Sequence, residues 1–96
     1  MNPSPATTLE RRSGVLAQPV KADDPSMVLL NPKNGEYYTL EPVGARVWQL
    51  CDGKRTISEI AAIIGQEYEE STDVIQSDVL ELAKELMDEE LVVPSP

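Results

Sequence analysis

The sequence predicts an α+β fold in which a three-stranded antiparallel sheet is followed by three helices. Three features carry that expectation. The stretch "VLLNPKNGEYYTL" (28–40) has the composition of a hairpin, three apolar stripes of helical period lie between Pro42 and Asp88, and caps and breakers separate them.

The strands come first. "GVLAQPVKA" (14–22) is weakly strand-like, and Pro19 assigns it to a sheet edge, where a missing N–H does no harm. "SMVLLN" (26–31) is rich in β-formers. "PKNG" (32–35) is a turn, because Pro32 pre-sets φ and Asn34-Gly35 tolerates positive φ. "EYYTL" (36–40) is the returning strand. Alternation is expected to place Val28 and Leu30 on one face with Tyr38 and Leu40, and Tyr37 with Thr39 on the other.

Pro42 suits a first helical turn, and Val43, Val47, Leu50 and Cys51 form a stripe that Gly53 ends. Thr56 and Glu59 form a capping box for a second helix, whose stripe is Ile57, Ile60, Ala61 and Ile64 and which ends near Tyr68. The third helix is predicted from Thr72 to Asp88, with Ile75, Val79, Leu82 and Leu86 as its core stripe. Gln76, Leu80, Ala83 and Met87 widen the apolar surface on one flank, while Asp78 and Glu85 lie towards the other. "LVV" (91–93) reads as a short strand or extended tail. The last two helices are spaced like a helix-turn-helix, so the order is winged-helix-like.

Residues 1–13 are expected to be a disordered tail and 94–96 a second short tail, leaving one folded domain at 14–93. Roughly 75 residues bury only about 60% of the surface their unfolded chain exposes, which leaves little room for a deep active site. No chemistry replaces that depth. The chain has no histidine, and one cysteine without histidine forms neither an internal disulfide nor a zinc site. No catalytic residue, metal or cofactor is expected. With neither a signal peptide nor an apolar run of membrane-spanning length, the expected location is the cytoplasm, with no membrane partner.

Charge is asymmetric. Residues 1–55 hold seven Lys/Arg and six Asp/Glu, whereas residues 56–96 hold eleven Asp/Glu and the single cation Lys84. An acidic half repels phosphate backbones, so nucleic acid is not an expected partner. A winged-helix DNA-binding protein is the alternative on topology, but a recognition helix needs Lys or Arg for bases and phosphates. A small enzyme is the least supported reading. Trp48 and Tyr38 are assigned to the core, Cys51 to a small buried hydrophobe, and Tyr37 is open to a ligand-facing role.

Taken together, "VLLNPKNGEYYTLEPVGARVWQLCDGKRTISEIAAIIGQEYEES" and "DVLELAKELMDEELV" resemble the PqqD family, also called recognition elements for ribosomally synthesised and post-translationally modified peptides (RiPPs). The resemblance covers about residues 15–93. Glu41 departs from it, since the family often has Asn after the last Leu of the third strand. The resemblance implies a non-catalytic, stand-alone adaptor that binds the leader region of a precursor peptide. The leader would dock as an added strand on the third strand, in a cleft walled by the third helix. Candidate peptide-binding residues are then Glu36, Tyr37, Tyr38, Thr39 and Leu40 on the strand, with Gln76, Val79, Leu80, Ala83 and Met87 on the helix. If the opposite flank faced the strand, Asp78 and Glu85 would meet the leader instead and favour Lys or Arg there. The implied partner is a maturation enzyme. It would be a leader peptidase in lasso peptide biosynthesis, towards which the sequence leans, or a radical S-adenosylmethionine enzyme as in pyrroloquinoline quinone (PQQ) assembly.

Overall fold

A computed structural model describes residues 2–95. Along the chain run β1 (Thr8–Arg11), β2 (Leu16–Pro19), β3 (Met27–Asn31), β4 (Glu36–Leu40), α1 (Pro42–Leu50), β5 (Asp52–Thr56), α2 (Ile57–Tyr68), α3 (Thr72–Asp88) and β6 (Val92–Pro94). The strands form two antiparallel sheets, ordered β2-β3-β4 and β5-β1-β6. The first is the expected three-stranded sheet. The second makes the likeness to a winged helix a loose one.

The hairpin is closed by its turn chemistry. Gly35 takes φ 73° and its amide donates to the Asn31 carbonyl at 2.8 Å. Asn31 is buried, at 1% exposure. Its side-chain oxygen accepts from the Lys33 amide at 3.0 Å, and its NH2 group donates to the Glu89 carbonyl at 3.1 Å. One side chain thus ties the turn to the end of α3.

That closure fixes the register. Leu29 faces Tyr38, Leu30 faces Tyr37, Val28 faces Thr39 and Met27 faces Leu40. Cross-strand partners share a face, so the expected grouping of Val28 and Leu30 with Tyr38 and Leu40 is corrected. Leu29 (0% exposed), Met27, Tyr38 and Leu40 pack inward, and Val28, Leu30, Tyr37 and Thr39 share the outer face. Pairing of Asn31 with Glu36 sets this parity, and composition alone does not encode it.

The helices match their sequence signals. Thr56 accepts from the Glu59 amide at 3.1 Å and Glu59 accepts from the Thr56 amide at 2.8 Å, the reciprocal capping box. Glu69 ends α2 in the left-handed region at φ 55°. Ile57, Ile60, Ala61 and Ile64 of α2 pack with Ile75, Val79, Ala83 and Leu86 of α3, and Trp48 joins them from α1.

Both expected tails need correction. β1 is the central strand of the second sheet, between β5 and β6, and Leu9 is 1% exposed. Arg11 explains the anchorage. Its guanidinium stacks over the Trp48 ring 5.5 Å from the centroid and donates to the Trp48 and Gln49 carbonyls. A cation suits the carbonyl end of α1, where it adds to the Cys51 amide already donating to the Trp48 carbonyl at 3.2 Å. At the other end Pro94 lies in β6, and the Ser95 amide donates to the Thr8 carbonyl at 2.8 Å. The folded part therefore reaches beyond 14–93 in both directions. The tail positions 1 and 96 lie outside the described residues.

Candidate functional site

β4 is an edge strand. Its partner β3 occupies one side only, so alternate residues of Glu36–Leu40 turn amide and carbonyl groups outward. α3 lies beyond that edge, antiparallel to it: the Tyr38 hydroxyl reaches Glu89 near the end of α3, while Leu82 lies next to Gly44 and Leu40. The two elements are in close contact here: a Cβ on Gly44 would sit 3.5 Å from a Leu82 methyl, an ordinary packing distance.

Between strand and helix runs a groove. One part, of about 440 Å³, is lined by Tyr37, Tyr38, Thr39, Leu40, Leu82, Glu85, Leu86, Glu89 and Leu91. The adjoining part, of about 350 Å³, shares Thr39, Leu40, Leu82 and Glu85 and extends to Glu41, Val43 and Gly44. Its floor is aliphatic and its rim carries carboxylates. Tyr37 stands at the rim with 70% exposure.

Tyr38 organises one end. Its hydroxyl lies 2.8 Å from a Glu89 carboxylate oxygen and 2.9 Å from one of Glu36, and it accepts from the Asn34 NH2 group at 3.2 Å. The bond to Glu89, with the Glu36 carboxylate beside it, pushes the phenol up to about 12. Tyr38 therefore remains a neutral donor across the physiological range.

Of the five strand residues named from sequence, Tyr37, Tyr38, Thr39 and Leu40 line the groove, whereas Glu36 lines neither part of it. The helical five do not join them. Val79 and Ala83 are buried in the core, Leu80 and Met87 pack half-buried against it, and Gln76 lines neither part of the groove. The opposite flank faces β4, and Leu82, Glu85, Leu86 and Glu89 form the wall. The helix pattern held one clue, a boundary where the apolar stripe meets carboxylates at Leu82 and Glu85. The amphipathic pattern alone does not say on which side the edge strand lies.

The groove contains no reactive constellation. Among the described residues no cluster of three His, Cys, Asp or Glu is arranged to hold a metal, and no helix is long and apolar enough to cross a membrane. Cys51 lies in the core at 1% exposure, and burial pushes its thiol up to about 12, with Asp52 adding to the rise and Arg11 opposing it. Thiol reagents at neutral pH are expected to leave Cys51 unmodified in the native protein and to label it fully in denaturant, as read by mass spectrometry. Rapid native labelling would contradict its burial.

Two solved structures share the fold. The solution structure of the PqqD truncation of Methylobacterium extorquens PqqCD, described as a functional and stand-alone RiPP recognition element, superposes with a TM-score of 0.79 at 26% identity. It covers 95% of this chain and 94% of its own. TbiB1 in complex with the TbiA(beta) leader peptide superposes with a TM-score of 0.74 at 28% identity, over 86% of this chain and 93% of its own. No curated protein sequence matches the chain. The family model described as coenzyme PQQ synthesis protein D (PqqD) matches residues 26–92, about two thirds of the sequence, and the chain belongs to the PqqD family.

Proposed function

We propose that this protein is a non-catalytic adaptor that captures the leader segment of a ribosomally made precursor peptide. The leader pairs as an added strand with β4, in the groove against α3, and is presented there to a maturation enzyme. The observation that carries this reading is the open edge of β4 facing an aliphatic wall. Family membership supports it, and so does the leader peptide bound to the structural relative TbiB1. A leader peptidase or a radical S-adenosylmethionine enzyme fits the role of partner.

Energetics require both walls. About four or five backbone hydrogen bonds, each contributing roughly 0.5–1.5 kcal/mol net, do not reach the roughly −8 kcal/mol of micromolar binding once association costs are included. Side chains seated on Leu40, Leu82 and Leu86 must contribute the remainder. Replacing Leu82 by Asp is accordingly expected to weaken leader binding by about 1–3 kcal/mol. Leu80→Asp, on the far flank, is expected to lower thermal stability without a specific loss of affinity. Equal affinity losses in two folded variants would contradict this assignment of the wall.

The function itself is tested by fluorescence anisotropy, with the labelled leader of the short precursor peptide encoded beside this gene and a labelled random DNA duplex as control. Micromolar or tighter binding to the leader alone supports the adaptor. Binding to DNA and not to the leader would overturn it.

A further inference from the structure

Among the described residues, two carboxylates on the groove wall have no cationic partner. Glu85 and Glu89 stand one turn apart on the side of α3 that faces β4, and both are exposed. Among the described residues, ion pairs engage their neighbours instead: Glu90 with Arg12 and Lys33, and Asp88 with Lys84. The placement disfavours stability twice. Like charges four residues apart on a helix repel. Both groups also lie at the carbonyl end of the helix dipole, which disfavours anions, and no basic residue occupies the last turn.

Glu89 is nevertheless held in position. The Tyr38 hydroxyl, 2.8 Å away, is shared with Glu36 at 2.9 Å. A phenol has one proton to donate, so at any moment one of these two carboxylates lacks it. The wall is thus an aliphatic strip, Leu82 and Leu86 with Leu40 opposite, that ends in uncompensated negative charge. Local arrangements that work against stability are where function is expected.

We infer that the groove selects a strand segment carrying an aliphatic side chain against Leu82 and a lysine or arginine two residues along, beside Glu85 and Glu89. This rests on the strand-addition reading above. Spacing supports it: side chains on one face of a strand repeat every ~6.6–6.8 Å, which falls between the ~4.5 Å and ~10.5 Å axial rises from Leu82 to Glu85 and to Glu89. An aliphatic residue seated at Leu82 therefore brings the next inward-facing side chain to the carboxylates. Charge disfavours a second copy of this chain as the occupant, because the protein carries a net −9 and its β4 segment, Glu36–Leu40, offers no lysine or arginine.

The test is a selection from a displayed library of random twelve-residue peptides at physiological salt. It is run on the wild-type chain, on Glu85→Gln/Glu89→Gln, and on Asp73→Asn/Glu81→Gln, which removes equal charge away from the groove. The wild type and the Asp73/Glu81 variant are expected to enrich Lys or Arg two residues from an aliphatic position. The Glu85/Glu89 variant is expected to retain the aliphatic preference and lose the basic one. In a resynthesised winner, replacing the basic residue by Gln should weaken binding to the wild type about threefold to tenfold and leave binding to the Glu85/Glu89 variant unchanged. Aliphatic winners without a basic preference, or a preference that survives Glu85→Gln/Glu89→Gln, would overturn the inference and leave strand addition standing. Selection of no peptide that Thr39→Pro weakens would overturn both.

Discussion

Thr39→Pro is expected to abolish leader capture while leaving a folded domain. β4 is an edge strand, where proline is tolerated so long as the N–H it lacks pointed away from the sheet. An incoming strand needs that N–H and the space the pyrrolidine ring would fill. A partner carbonyl left unmatched at a desolvated edge costs about 1–3 kcal/mol, and the ring displaces the strand beside it. Affinity should fall by at least about thirtyfold, which is ~2 kcal/mol. Tyr37→Pro, two residues along the same strand, should behave alike. Anisotropy gives the affinity and far-ultraviolet circular dichroism the fold. Folded variants with unchanged affinity would exclude β4 as the docking edge.

Leu9→Ala has the largest expected effect on stability. Leu9 is fully buried on the central strand of the second sheet, and the alanine would leave a cavity among core side chains. Truncations of this kind cost about 2–5 kcal/mol. For a domain of this size that approaches the whole folding free energy, so the variant should melt far below the wild type or fail to fold. A change in midpoint of only a degree or two, measured by thermal denaturation, would mean that the segment before residue 14 is dispensable.

These two positions mark the limits of what the sequence makes legible. The edge strand was readable because hairpin signals are local: turn residues at 32–35 and β-formers on either side. The helices were readable because a stripe and a cap are local too, and Thr56 with Glu59 marked the start of α2 to the residue. β1 was not readable. "TLER" is too short and too polar to look like a strand, and proline and threonine precede it. What makes it one is distant in sequence, namely pairing with Thr56 and Asp52 on one side and with Val92 and Val93 on the other.

The site divides along the same line. Its strand half follows from β4, whereas the helical half was assigned to Gln76, Val79, Leu80, Ala83 and Met87, which the fold turns into or across the core. An apolar flank wider than one stripe predicts burial but not what covers it. The deciding contacts are tertiary ones: the Tyr38 hydroxyl on Glu89, the Asn31 side chain on the Glu89 carbonyl, and the approach of Leu82 to Gly44. The residues that form the wall are therefore Leu82, Glu85, Leu86 and Glu89, with the carboxylates placed as the acidic alternative anticipated for Glu85.

Pairing of a leader with β4 is tested most directly by amide hydrogen exchange. Exchange would be followed by NMR on the full chain, with and without a saturating amount of the precursor leader. The outward-facing amides among Tyr37–Leu40 should gain protection on binding, and side-chain signals of Leu82 and Leu86 should shift with them. Protection confined to another edge, such as β2 or β6, or shifts restricted to helices with β4 unchanged, would contradict docking by strand addition at this site.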